Sequence, residues 1–191
     1  LEQHGFDPEK QLCTDDFVAK LEHNANLSIK AILAMAAYAK LAGKSLQPYR
    51  QLAKRWMRMA ADGDHFRLTF DKPGTWSLKY NLVWDQLLDL GVFPAEVARK
   101  EVAHYRKVQT RYGLPLDCRS DIAKLDWIVW AAALAGSKEE FREFIVPVHR
   151  WIQETPSRVP LSDLYHTESG KYWQFTARSV VGGVFIRMLM R

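Results

Sequence analysis

Metal-ligand spacings, phosphate-binding glycine loops and the Gly-x-Ser-x-Gly turn are all missing from this chain of 191 residues. No cysteine and histidine fall in a pattern suited to thiol catalysis, so no short motif names a chemistry. No metal and no cofactor are expected. Cysteine is scarce: Cys13 and Cys118 are too few for a disulfide scaffold. Unbridged thiols are expected, with one bridge open to an exported parent. Long apolar runs are missing too. The longest, Trp127–Gly136, falls well short of the ~20 residues of a membrane span, so no membrane partner is expected. A clustered basic face is also lacking. The net charge of +5 comes from 27 basic and 22 acidic residues spread along amphipathic segments. Nucleic-acid binding needs such charges gathered on one face, so none is expected. The chain begins at Leu1 and carries no basic-then-apolar leader. Either processing has removed the true start, or the chain is an excised piece of a longer protein.

What is present is ordinary in bulk: 48% hydrophobic and 26% charged residues, at a length that suits one domain. Aromatics are rich at 12%, with seven Trp, enough for some rings to line a site. Residues 1–26 show no apolar periodicity. From there the pattern predicts helices. The first runs from Leu27 to Ala42, apolar almost all round and therefore buried, with Asn26 or Ser28 as its cap. The second is an amphipathic helix from Pro48 to Ala61. Next come an apolar helix over 78–90 and an amphipathic one over 94–111. An apolar helix over 125–135 follows, then an amphipathic one to Ile152, opened by a Ser137/Glu140 capping box and kinked by Pro147. The last, over 177–190, is apolar with Gly182-Gly183 inside, a pair that costs helix stability and points to close packing.

The apolar helices begin near positions 27, 78, 122 and 177, a repeat of roughly 50 residues that signals stacked helical hairpins. Buried inner helices alternate with half-wet outer ones. Inner-to-outer turns are short, and outer-to-inner loops are long. In such an array all the long loops share one end, over the N-termini of the inner helices, and are expected to build a pocket. The whole chain, 1–191, is thus expected to be a single all-helical domain.

The candidate residues fall in those loops. Asp15 and Asp16 are adjacent carboxylates that could serve as acid and base, or simply form a turn. His23 and Asn24 could bind a polar substrate or cap a helix. Asp71, Trp76, Lys79 and Asn81 offer a carboxylate, a stacking surface, an ammonium and an amide. Asp85 lies one turn past Asn81, and Asp126 interrupts the most apolar helix. A carboxylate in such a place must find a partner. Asp117 follows Pro115, beside Arg119. Arg158, Asp163 and Arg178 could be structural ion pairs or a carboxylate clamp.

Six stretches carry a resemblance: LCTDDF, EHNANLS, GDHFRLTFDKPGTWSLKYNLVWD, YGLPLD, TPSRVPLSD and ARSVVGG. Together they resemble the glutaminase A-type family of bacterial and fungal proteins, from about Gly5 to the end. Cys118 stands where Ser is expected and His166 where Asp is more usual. The resemblance implies a large exported enzyme, extracellular or periplasmic. Its C-terminal part would be an (α/α) toroid of the six-hairpin glycosidase type, and this chain a partial toroid. The implied reaction is hydrolysis of glutamine to glutamate and ammonia. The resemblance assigns no catalytic residue; from the residues themselves Asp15 and Asp16 are taken as acid and base, with Trp76, Lys79, Asn81, Arg158 and Arg178 positioning a small amino-acid substrate. The partner would be the missing N-terminal domain of the same protein. A glycoside hydrolase or carbohydrate-binding toroid is the alternative, argued from fold and Trp-rich loops, and a non-catalytic structural module is the third.

Overall fold

A computed structural model describes residues 1–9 and 21–190. The carboxylates Asp15 and Asp16, and the thiol of Cys13, lie outside the described residues. The architecture is largely helical. The first helix, α1 (Ala25–Leu41), is capped by Asn24, whose side chain accepts the Leu27 N–H at 2.8 Å. The cap therefore sits two residues before the earliest expected one. Ile29, Ile32, Leu33 and Ala36 are buried, but Tyr38 is 68% and Leu41 89% exposed. The apolar helix is thus open along one face, not buried all round as its sequence suggested. α2 (Gln47–Ala60) opens with Pro48 in its first turn and buries one stripe, Ala53, Trp56 and Ala60. The Trp56 indole donates to the carbonyl of Ala25 at 2.8 Å and ties the hairpin together.

The expected helix over 78–90 is shorter than its apolar pattern. A 3-10 turn, Tyr80–Leu82, leads into a five-residue α3 (Val83–Leu87). Asp85 explains the early stop. Its buried carboxylate accepts the backbone N–H groups of Val92 (3.0 Å) and Phe93 (2.8 Å) and pulls the chain around. That is the partner its burial demanded. α4 (Ala95–Val108) follows Pro94. α5 (Leu125–Ala132) is the third inner α-helix, and α6 (Lys138–Glu154) continues through Pro147. Ser137 caps α6 by accepting the Glu140 N–H at 3.1 Å.

The last expected helix is the largest departure. Residues Ser179–Phe185 form 3-10 turns, and only α7 (Ile186–Leu189) is α-helical. Glycine's backbone freedom and missing side chain weaken a helix here. The segment is also largely uncovered: Phe185 is 62%, Met188 79% and Leu189 67% exposed.

Two antiparallel ribbons lie within the long loops, so the domain is not purely helical. β1 (Ala61–Asp62) pairs with β2 (His65–Phe66), and β3 (Ile122–Lys124) pairs with β4 (Leu164–His166). The inner segments sit in a row: Tyr80–Leu82 touches both α1 and α5, and α5 touches Ser179–Phe185. The long loops gather at the N-terminal ends of that row, as expected. Ala25 N–H donates to Leu68 O (3.0 Å), Leu78 N–H to Leu116 O (2.8 Å) and Leu125 N–H to Asp163 O (2.7 Å). Among the described residues no helix is long and apolar enough to cross a membrane.

Candidate functional site

Each loop delivers a polar residue to the start of an inner segment, and three of these starts read alike: Asn24-Ala25-Asn26, Lys79-Tyr80-Asn81 and Lys124-Leu125-Asp126. The second residue of each segment is the one that turns toward its neighbours. The Asn81 side-chain amide donates to Asn26 O at 3.2 Å, and the Asn81 backbone N–H donates to Asn26 Oδ1 at 3.3 Å. Asn81, Asp126 and Val180 then line a cavity of about 480 Å³ between the inner segments. That volume suits a small organic ligand.

Aromatic rings form much of its wall. Tyr80 stacks on Trp127 with centroids 4.2 Å apart, and Trp84 meets Trp130 edge-on at 5.2 Å. The Trp130 indole donates to Gly183 O at 2.9 Å and fixes the last segment to α5.

The charged floor is a chain of ion pairs. The ammonium of Lys124 donates to the Asp126 carboxylate and lies 3.6 Å from Asp163. It also sits 4.4 Å from the centre of the Trp127 ring, where the ring face attracts a cation. Asp163 is fully buried and takes the Arg178 guanidinium in a fork, Nε to Oδ1 at 2.9 Å and Nη2 to Oδ2. Burial pushes the Asp126 carboxyl above the usual carboxylate range, and the Lys124 charge pulls it partly back. A carboxyl so perturbed in a cleft is a candidate for proton transfer. Among the described residues lining the cavity it is the only carboxylate.

The structure brings some of the sequence candidates together and leaves others apart. Asn81 and Arg178 line the cavity, and Asp163 lies directly behind Arg178. Lys79 does not reach it. This ammonium is fully buried, donating to Phe66 O (2.9 Å), Ser77 O (2.9 Å) and Ser77 Oγ (3.1 Å), and is 3.8 Å from Glu101. Asn24 is a helix cap, and His23 holds Asp7 at 2.8 Å. Asp117 is clamped by its neighbour Arg119 through Nε (2.9 Å) and Nη2 (2.6 Å). Asp71 and Arg158 are exposed, and Trp76 is half-buried, edge-on to His104 at 5.5 Å. His166 pairs with Asp121 at 2.8 Å beside the β3–β4 ribbon, and the Cys118 thiol is exposed. Lys124 escaped the sequence reading, and Asp126 appeared there only as an interruption. The signal for both was the threefold repeat at the inner-segment starts. Away from the cavity, Asp64, His65 and His104 are the one group of described residues whose donor atoms could share a metal ion.

Comparison with known proteins adds an independent line. The model of the glutaminase A six helical-hairpin domain matches residues 1–188. Glutaminase A of Aspergillus oryzae (strain ATCC 42149 / RIB 40) is 33% identical over an alignment of 207 residues, which covers 100% of this chain and 30% of that protein. A protein named "Probable glutaminase/05536" from Arthroderma benhamiae (strain ATCC MYA-4681 / CBS 112371) is 30% identical over 226 residues, covering 97% of this chain and 26% of that protein. The chain spans less than a third of the length of either relative.

Proposed function

The chain belongs to the glutaminase A six helical-hairpin family, and on that premise we propose that it carries part of the active site of an amidohydrolase. The reaction is glutamine plus water to glutamate plus ammonia. The observation that carries this reading is Asp126, a carboxyl of raised proton affinity in the wall of an aromatic-lined cavity, held by Lys124. In its ionised form Asp126 takes a proton from the attacking water. In its protonated form it gives that proton to the departing ammonia. Lys124 orients the carboxylate and stabilises the charge that returns after each transfer. Arg178, steered by Asp163, supplies the positive charge that a substrate carboxylate needs, and Asn81 supplies amide groups for its polar end.

The reading extends to the whole protein. The inner row continues as a closed (α/α) toroid, completed by the remainder of the larger enzyme, which covers the open apolar faces at Tyr38 and Leu41 and at Phe185, Met188 and Leu189. The same reading takes that enzyme to act outside the cytoplasm, an expectation that rests on the family resemblance.

Ammonia release from glutamine, measured on the whole protein and on this chain, tests the proposal. Turnover by the whole protein, reduced or absent in the chain alone, supports it. Failure of the whole protein to release ammonia overturns it. A second reading, glycoside hydrolysis, is favoured by the Tyr80, Trp84, Trp127 and Trp130 walls, because flat rings suit sugar faces. It requires a second carboxylate ~5–9.5 Å from Asp126, supplied by a residue other than those described at the cavity. Release of reducing sugar from a panel of glycosides, without ammonia from glutamine, would decide for it.

A further inference from the structure

Glu101 and His104 lie one turn apart on α4, and both are buried. Glu101 anchors β2, since its Oε1 accepts the Phe66 N–H at 2.8 Å. The residue before Phe66 is thereby laid on the residue one turn past Glu101. The His65 and His104 rings stack with centroids 4.3 Å apart at an interplanar angle of 24°. The tight β1–β2 turn, with Gly63 at φ +55°, brings Asp64 to the same place. Its Oδ1 is 2.9 Å from His65 Nδ1 and 3.8 Å from His104 Nδ1. One donor atom from each of the three residues lies within 4.8 Å of the others.

Buried polar atoms are almost always hydrogen-bonded, yet these are not. His65 Nε2 and both ring nitrogens of His104 are buried with no hydrogen-bond partner, and His104 as a whole is 8% exposed. A neutral imidazole offers a metal ion one ring nitrogen and keeps its proton on the other.

We propose that Asp64, His65 and His104 form a binding site for a zinc-class dication that pins the β1–β2 hairpin to α4. Two imidazoles and a carboxylate are a donor set that zinc takes at bonds of ~2.0–2.2 Å. Donors around such a tetrahedral ion stand roughly 3.3 Å apart, so binding needs only modest shifts of donor atoms that already lie within 4.8 Å of one another. Asp64 sits on an exposed turn and can make that shift. Lys107 holds the other oxygen, Oδ2, at 2.7 Å and leaves Oδ1 facing the histidines. The fourth position is left for water. None of the three residues lines the cavity around Asp126, so the ion's role is to hold a loop, and the site stands or falls independently of the proposed reaction.

The test uses the chain freed of metal by a chelator and titrated with Zn²⁺ by calorimetry, with Co²⁺ absorption as a report on ligand geometry. The expected result is one ion per chain, a Tm that rises with Zn²⁺ because the ion binds only the folded state, and d–d bands of a four-coordinate site with Co²⁺. Asp64→Asn and His65→Asn weaken Zn²⁺ binding by at least about tenfold, while His149→Asn, outside the cluster, leaves it unchanged. Asp64 is exposed, so its variant keeps the fold even where a histidine variant does not. Absence of saturable binding, or equal affinity in both variants and the parent chain, overturns the proposal.

Discussion

Gly183 lies so close to Asp126 that a Cβ on the glycine would stand 2.8 Å from the aspartate's own Cβ. Only a residue without a side chain lets the last inner segment approach the carboxylate at the cavity wall. Gly182, one position earlier, would meet nothing within 4 Å. The two glycines therefore behave differently. Gly183→Ala is expected to cost about 1–3 kcal/mol through overpacking and to shift the Trp130 indole that donates to Gly183 O. Gly182→Ala is expected to be neutral or stabilising. Thermal unfolding with Trp fluorescence separates the two, and equal effects would contradict the close approach.

Glu101 is the hub of a buried polar network. It accepts from Phe66 N–H and from the Tyr105 hydroxyl (2.6 Å) and neutralises buried Lys79. Glu101→Ala strands that ammonium without its counter-charge, and the expected loss is about 3–5 kcal/mol. Denaturant unfolding checks it. A loss under 1 kcal/mol would show that Lys79 is satisfied by its carbonyl partners alone.

Asp85 carries a pH signature. Burial raises its carboxyl above the ordinary 3.8, against the pull of the Val92 and Phe93 N–H groups. A carboxyl raised in the folded state favours folding in its protonated form. Its contribution is therefore fully present below 3.8 and is lost as pH rises through the folded-state value. Asp85→Asn, which cannot ionise, is expected to flatten that part of the stability-against-pH curve. An unchanged curve would assign the slope to other groups.

The open apolar faces predict behaviour in isolation. Leu41→Ser and Phe185→Ser each remove an exposed apolar group and are expected to change stability by less than ~0.5 kcal/mol while reducing self-association of the chain. Sedimentation at rising concentration reads this directly. A large loss of stability would mean that these side chains are packed.

Hairpin alternation was legible in the sequence because apolar periodicity and Gly or Pro stops report it directly. The ends of elements were less so. Asn24 caps α1 because loop pairing at Thr69 sets where the helix begins, and the helix pattern does not contain that contact. The stretch 177–190 reads as a buried helix from its apolar residues alone, but burial depends on a neighbour that the described residues do not supply. Lys79 looked like a binding group because charge suggests a surface, and only the fold shows its ammonium turned inward to Ser77 and Glu101. Asp126 and Lys124 were hidden in an apolar helix start. Their role depends on Trp127, Asp163 and Gly183 meeting there, which is a matter of three-dimensional packing.

Ammonia release from glutamine by the whole protein, with and without Asp126→Asn, tests the central claim most directly. The parent is expected to turn over with an acidic limb of kcat/KM above 3.8, as the raised Asp126 carboxyl requires. The variant is expected to lose about 10²–10⁴ in kcat while keeping its Tm within a few degrees. Full activity in the variant, or an acidic limb at the ordinary carboxylate position, would contradict the assignment of this cavity as the active site.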